Sequence, residues 1–129
     1  MKKTIRIASL ALAVTMATLG CTAQADQTTD KLKSILANND IKVTPPTRLD
    51  TRRQNMIDNL RGAKAEDFDH RYVEQQEAAH EEARILMRGY AKDGDNASIK
   101  QFASETLPAV KEHLAMVEKI EKNMKTASK

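Results

Sequence analysis

A chain of 129 residues with four aromatic side chains has room for one small domain built on an economical core. It carries 21 Lys+Arg against 18 Asp+Glu, but Lys2, Lys3 and Arg6 fall in an N-terminal export segment. Without them the balance is 18 against 18, which removes the electrostatic footprint that a nucleic-acid partner needs. Cys21 is the only cysteine, so no disulfide forms within the chain, and no thiol nucleophile survives removal of that segment.

Residues 1–25 have the pattern of a signal peptide. A basic start is followed by an uncharged apolar run from Ile7 to Leu19 and by the small-x-small site Ala23-Gln24-Ala25. That run is too short for a permanent membrane span. Cleavage after Ala25 predicts a periplasmic protein. A competing reading places cleavage between Gly20 and Cys21, with the cysteine sulfur carrying a lipid, and predicts an outer-membrane lipoprotein; membrane attachment depends on that alternative. Leu19 sits one position late for the lipoprotein pattern, which favours release after Ala25.

Residues 26–48 read as a polar leader, a short helix and a connector. Thr29-Asp30 supplies a cap, Leu32, Ile35 and Leu36 an apolar face, and Asn38-Asn39-Asp40 a stop. Pro45-Pro46 then denies helix to its neighbours. Residues 49–124 are predicted to form the helical bundle domain. A second short helix spans about 49–60, with Met56, Ile57 and Leu60 as contacts and Gly62 as its end.

Two long antiparallel helices follow. The first spans about 65–91, with Glu66, Asp67 and Asp69 at its N-terminus, where negative charge suits the helix dipole. At 100° per residue Phe68, Tyr72, Ala79, Ala83, Leu86 and Tyr90 fall within about 60° of one another. A turn at Asp93-Gly94-Asp95-Asn96 leads, through an Asp95 or Asn96 cap, into a second helix spanning about 96–124. Its stripe is Ile99, Phe102, Ala103, Thr106, Val110, Leu114, Val117 and Ile120, and it stays in phase across Pro108, which predicts a kink rather than a stop. Residues 125–129 read as a polar tail. The fold class is all-α, a ferritin-like helical bundle.

Phe68-Asp69-x-x-Tyr72, His80, Phe102-Ala103, Thr106-Leu107-Pro108 and His113-Leu114 resemble the signature of the exported ferritin-like proteins known as domain of unknown function 4142, over roughly residues 40–120. The resemblance implies a helical bundle in the bacterial envelope and no assigned activity. Against that pattern the N-terminal helices look truncated. A bundle short of one helix leaves apolar surface uncovered, which predicts a homodimer in which the helices bearing His80 and His113 pack on their symmetry mates.

The histidines are the one place where chemistry fits. His80 and His113 fall toward the apolar side of the two long helices, whereas His70 lies nearly opposite. One reading makes the pair buried polar residues satisfied by a helix carbonyl, a carboxylate or Tyr72. The other makes His80, His113 and Glu77 ligands of a divalent ion of iron, copper or zinc. Di-iron bundles use Glu-x-x-His on two helices plus a Glu from each of two others. Here only Glu77-x-x-His80 is present, with Val110 at the equivalent position before His113. Glu77 also lies farther than His80 from the centre of its stripe and points toward solvent, with His80 nearer the stripe's edge. Counted from Gly94, His80 lies 14 residues back and His113 19 forward, so a height offset of about 7 Å is expected between them.

The remaining candidates have structural explanations. Asp67 and Asp69 cap a helix start, Tyr72 and Tyr90 repeat with the core period, and Met56, Met87, Met116 and Met124 read as gap-fillers rather than copper ligands. No phosphate-binding loop and no serine or cysteine nucleophile with a base is present, so the reading leans away from an enzyme. The expected function is a non-enzymatic exported bundle acting by protein interaction, in envelope stress or assembly, with no cofactor. The alternative is a metal-binding bundle.

Overall fold

A computed structural model describes residues 22–39, 41–43 and 47–127, and among them the architecture is all-α. The predicted export segment up to Cys21, with the alternative lipidation site it contains, and the prolines Pro45 and Pro46 lie outside the described residues. Four helices follow in order: α1 (Thr22–Asn38), α2 (Thr51–Arg61), α3 (Ala65–Asp93) and α4 (Ala97–Ala127). The fold is a long antiparallel hairpin of α3 and α4, with α1 packed on α4 and α2 packed on α3.

The turn that makes the hairpin is short because its caps are good. Asn96 Oδ1 accepts a bond from the Ile99 N–H at 3.1 Å, so Asn96 is the residue that caps α4. The Gly94 N–H donates to the Tyr90 carbonyl at 2.8 Å and closes α3. A Cβ on Gly94 would meet the Tyr90 ring and carbonyl at 2.5 Å, so only glycine lets the chain leave so close to that ring. The tyrosine hydroxyl in turn donates to Asp95 at 3.1 Å.

The core lies at the turn end of the hairpin. Met87, Ile99, Phe102 and Ala103 are 0–1 % exposed, and Leu32 and Leu36 of α1 close over them. Full burial of each large side chain contributes about 1.5–3 kcal/mol. After α1 the chain turns back, with the Ile41 N–H bonded to the Leu36 carbonyl, so that Ile41 and Val43 add to the same cluster.

Among the described residues helix α1 already includes Thr22, ahead of the predicted Thr29-Asp30 cap. Ala23, Gln24 and Ala25 are strong helix formers, and a cap contributes only about 1 kcal/mol, too little to stop a helix where good formers precede it. The described helix therefore runs through the predicted cleavage site, and the N-terminal helix is longer than the expected truncated one. At the other end α4 includes residues 125–127 of the predicted tail.

Helix α2 is capped by Asp50, whose Oδ1 accepts from the Arg53 N–H at 2.8 Å, and ends at Gly62. None of its residues is buried, so Met56, Ile57 and Leu60 are only partial contacts. Polar links hold it instead. Arg52 and Arg53 both reach Glu82, at 2.9 and 3.4 Å, and Gln75 Nε2 donates to the Met56 carbonyl and to Asn59.

On α3 the buried set is Gln76, His80, Ala83 and Met87, a face turned by about 60° from the predicted stripe. The aromatic residues had weighted that stripe. Phe68 and Tyr72 stack on each other, with centroids 6.2 Å apart, at the end of the hairpin remote from the turn, where Phe68 is 41 % exposed. The α4 stripe fares better: Ile99, Phe102, Ala103, Leu114 and Val117 are buried, though Ile120 is 49 % exposed. The helix continues through Pro108, whose ring deprives the Ser104 carbonyl of its usual donor. Nearby, the Ser104 and Thr106 hydroxyls donate to the Lys100 and Phe102 carbonyls.

Candidate functional site: a histidine pair inside the hairpin

His80 and His113 meet. Their ring centroids are 5.8 Å apart, with planes at 81°, in an edge-to-face contact across the α3–α4 interface. The expected 7 Å offset is overturned, for two reasons. The midpoint between the last residue of α3, Asp93, and the first of α4, Ala97, is Asp95, which puts His80 15 residues back and His113 18 forward. At about 1.5 Å per residue the offset shrinks to about 4.5 Å. Helical side chains also lean toward their own N-terminus, which in an antiparallel hairpin moves the His80 ring away from the turn and the His113 ring toward it.

The surroundings fix the state of His80. It is buried, and its Nδ1 lies 2.7 Å from the Gln76 carbonyl oxygen, one turn back along α3. A carbonyl only accepts, so Nδ1 carries the proton, and in the neutral ring Nε2 keeps its lone pair. Gln76 is itself 7 % exposed, and its side-chain Oε1 is buried with no hydrogen-bond donor among the described residues. His113 is half-buried, and among the described residues its ring nitrogens have no hydrogen-bond partner. The faces around the pair are apolar, with Ala83 on α3 and Leu114 and Val117 on α4.

The other predicted residues stand apart from this pair. Glu77 is half-exposed and, with Glu74, contributes to the field that raises the Lys125 ammonium, behind that group's bond to Glu121. His70 is exposed beside Glu74 at 3.3 Å, and Asp67 faces Arg71 at 3.7 Å. Met87 fills the core as expected, but Met116 is 55 % exposed and fills nothing. Among the described residues no group of three or more His, Cys, Asp and Glu is placed to hold a metal ion. A carboxylate-bridged di-iron centre does not fit.

Arg84, one turn after His80, is held by both carboxylate oxygens of Glu81, and that bond is the main reason the Glu81 carboxyl sits below its ordinary value. A cleft of about 300 Å³ between α1 and α4 is lined by polar groups that already satisfy one another, Lys31 with Glu105, Ser98 with Asn39, and Gln101 with Glu105. The strap of Arg52, Arg53 and Glu82 gave no signal in the sequence, because its charges come from two helices whose facing cannot be read from spacing alone.

A family model described as Domain of unknown function (DUF4142) matches residues 20–120. No curated protein and no solved structure is significantly similar to the chain. Among the described residues no helix is long and apolar enough to cross a membrane.

Proposed function

The chain belongs to the DUF4142 family, and from that premise we propose that it is an exported, non-enzymatic bundle of the bacterial envelope that acts by binding protein, first a second copy of itself. One observation carries the reading: of four exposed large apolar side chains among the described residues, Phe68, Met116 and Ile120, 41, 55 and 49 % exposed, lie toward the end of the hairpin remote from the turn, and Ile85, 58 % exposed, lies nearer to it. Large apolar side chains grouped on one region of a small protein mark an interaction surface. A homodimer covers them at least cost, because a two-fold axis lets one patch serve both copies. A role in envelope stress or assembly follows from the same reading.

Size-exclusion chromatography with light scattering tests it. A dimer is expected at tens of micromolar, converted to monomer by Phe68→Lys with Ile120→Lys; a wild-type monomer at that concentration refutes self-association. The address is tested separately by fractionating cells that express the full chain. A soluble periplasmic form beginning at Asp26 is expected, whereas a lipid-modified form beginning at Cys21 supports the lipoprotein alternative.

A second reading, metal binding, is favoured by one specific observation. Two imidazoles from different helices face each other within the hairpin, and the Nδ1–H of one is anchored on a backbone carbonyl, as metal-bound histidines usually are.

A further inference from the structure

We propose that His80 and His113 together bind a single monovalent copper ion, Cu(I), with the Gln76 side-chain oxygen as a weaker third donor. The inference rests on the metal reading of the pair and specifies its ion. Three features point to a cation at this place. The Nε2 lone pair of His80 is left free by the Nδ1–H bond to the Gln76 carbonyl. The His113 ring, 5.8 Å away centroid to centroid, lies within the span of two rings and two metal–nitrogen bonds of about 2.0 Å each. Gln76, one turn before His80 on α3, has its Oε1 buried without a donor among the described residues, which is unfavourable unless something electropositive faces it.

Charge then selects the ion. Imidazoles bind a metal through the lone pair of their uncharged form and the amide carries no charge, and among the described residues no carboxylate joins them to complete a ligand group. The cost of burying an ion grows with the square of its charge, so a dication in this apolar setting carries about four times the penalty of a monocation. Coordination number points the same way. Zinc takes three or four protein ligands, non-haem iron takes two histidines with a carboxylate, and magnesium and calcium take shells of oxygen. Cu(I), a closed-shell ion with no demand for a four- or six-ligand shell, accepts two or three neutral donors, and imidazole is among the ligands that suit copper. His113 is half-buried rather than sealed, which leaves the ion a way in.

The test is anaerobic competition titration of the purified, metal-stripped chain with Cu(I) against a bicinchoninate chelator, with Zn(II) and Fe(II) run in parallel. One Cu(I) per chain is expected, bound at least about 100-fold more tightly than Zn(II), with His113→Ala losing at least about 100-fold in Cu(I) affinity. Gln76→Glu places a carboxylate beside the pair and should swing preference toward Zn(II); an unchanged preference overturns the charge argument. If the wild type prefers Zn(II) and His113→Ala abolishes that binding, the pair is a metal site but the Cu(I) assignment is overturned. If the wild type binds no metal, the metal reading falls with it. Should His113→Ala lose its helicity, copper X-ray absorption on the loaded wild type decides: two short nitrogen ligands support the proposal, and a shell of sulfur or of oxygen alone overturns it.

Discussion

Helices α1 and α2 flank the same hairpin and are held to it by opposite means. The first inserts Leu32 and Leu36, 2 and 7 % exposed, into the cluster of Met87, Ile99 and Phe102. The second has no fully buried residue and is tied down by Arg52, Arg53 and Gln75. Apolar burial is indifferent to salt and hard to undo locally, whereas partly exposed ion pairs contribute about 0–1 kcal/mol each and weaken with ionic strength. The α1 side should therefore open only with the whole fold, and the α2 side by itself.

The largest effect expected from this contrast is Leu32→Ala, which should cost about 2–5 kcal/mol in urea unfolding, because the vacated space is walled by residues that cannot collapse into it. A loss below about 1 kcal/mol would mean that α1 is not part of the cooperative unit. Next, Glu82→Ala removes both arginine contacts of α2. Global stability should fall by about 1 kcal/mol or less, while amide exchange across residues 51–61 rises by about tenfold or more. Equal acceleration in α1 would erase the contrast.

Titration sharpens it further. Burial first, and then the bond to Asp95, push the Tyr90 hydroxyl up to about 12 from 10.0. Its folded value is raised, so the neutral form contributes stability below pH 10, and that contribution is lost as pH rises from 10 toward 12. Helicity followed by circular dichroism should decline over that window, and less so in Tyr90→Phe. The smallest effect concerns the Lys31–Glu105 ion pair, which links α1 to α4. Bonds from Lys31 and then Gln101 hold the Glu105 carboxyl below its ordinary 4.5, so the link is intact above that pH and is lost as pH falls through the lowered value. Amide protection at the Lys31 end of α1 should drop there in the wild type and stay level with pH in Glu105→Gln.

How much of this was legible depended on how many partners a residue answers to. The ends of α2 and α3 and the stripe of α4 were readable because caps and a 3.6-residue period are local properties. The buried face of α3 was misjudged because Phe68 and Tyr72 satisfy each other at the free end, so their apolar character reports a stack and an exposed patch rather than the core. The meeting of His80 and His113 was hidden by a count taken from Gly94 and by the lean of the side chains, which adds along one helix and subtracts along the other. That the Gln76 side-chain oxygen lacks a donor is visible only once every neighbour is known.

The turn at Gly94 constrains the history of the molecule as well as its shape. Its close fit against the Tyr90 ring fixes where one long helix ends, and Asn96 fixes where the next begins. One residue inserted in α3 after His80 or in α4 before His113 would slide the ring along its helix by about 1.5 Å and turn it by about 100°, carrying it out of the seam. Descendants of this chain can therefore lengthen the hairpin only by matched whole turns on both arms. The distance between the two histidines is in that sense an inherited ruler: lineages that keep the pair should keep the count between them or change it in paired helical turns, while those that have lost either ring are free to drift in length.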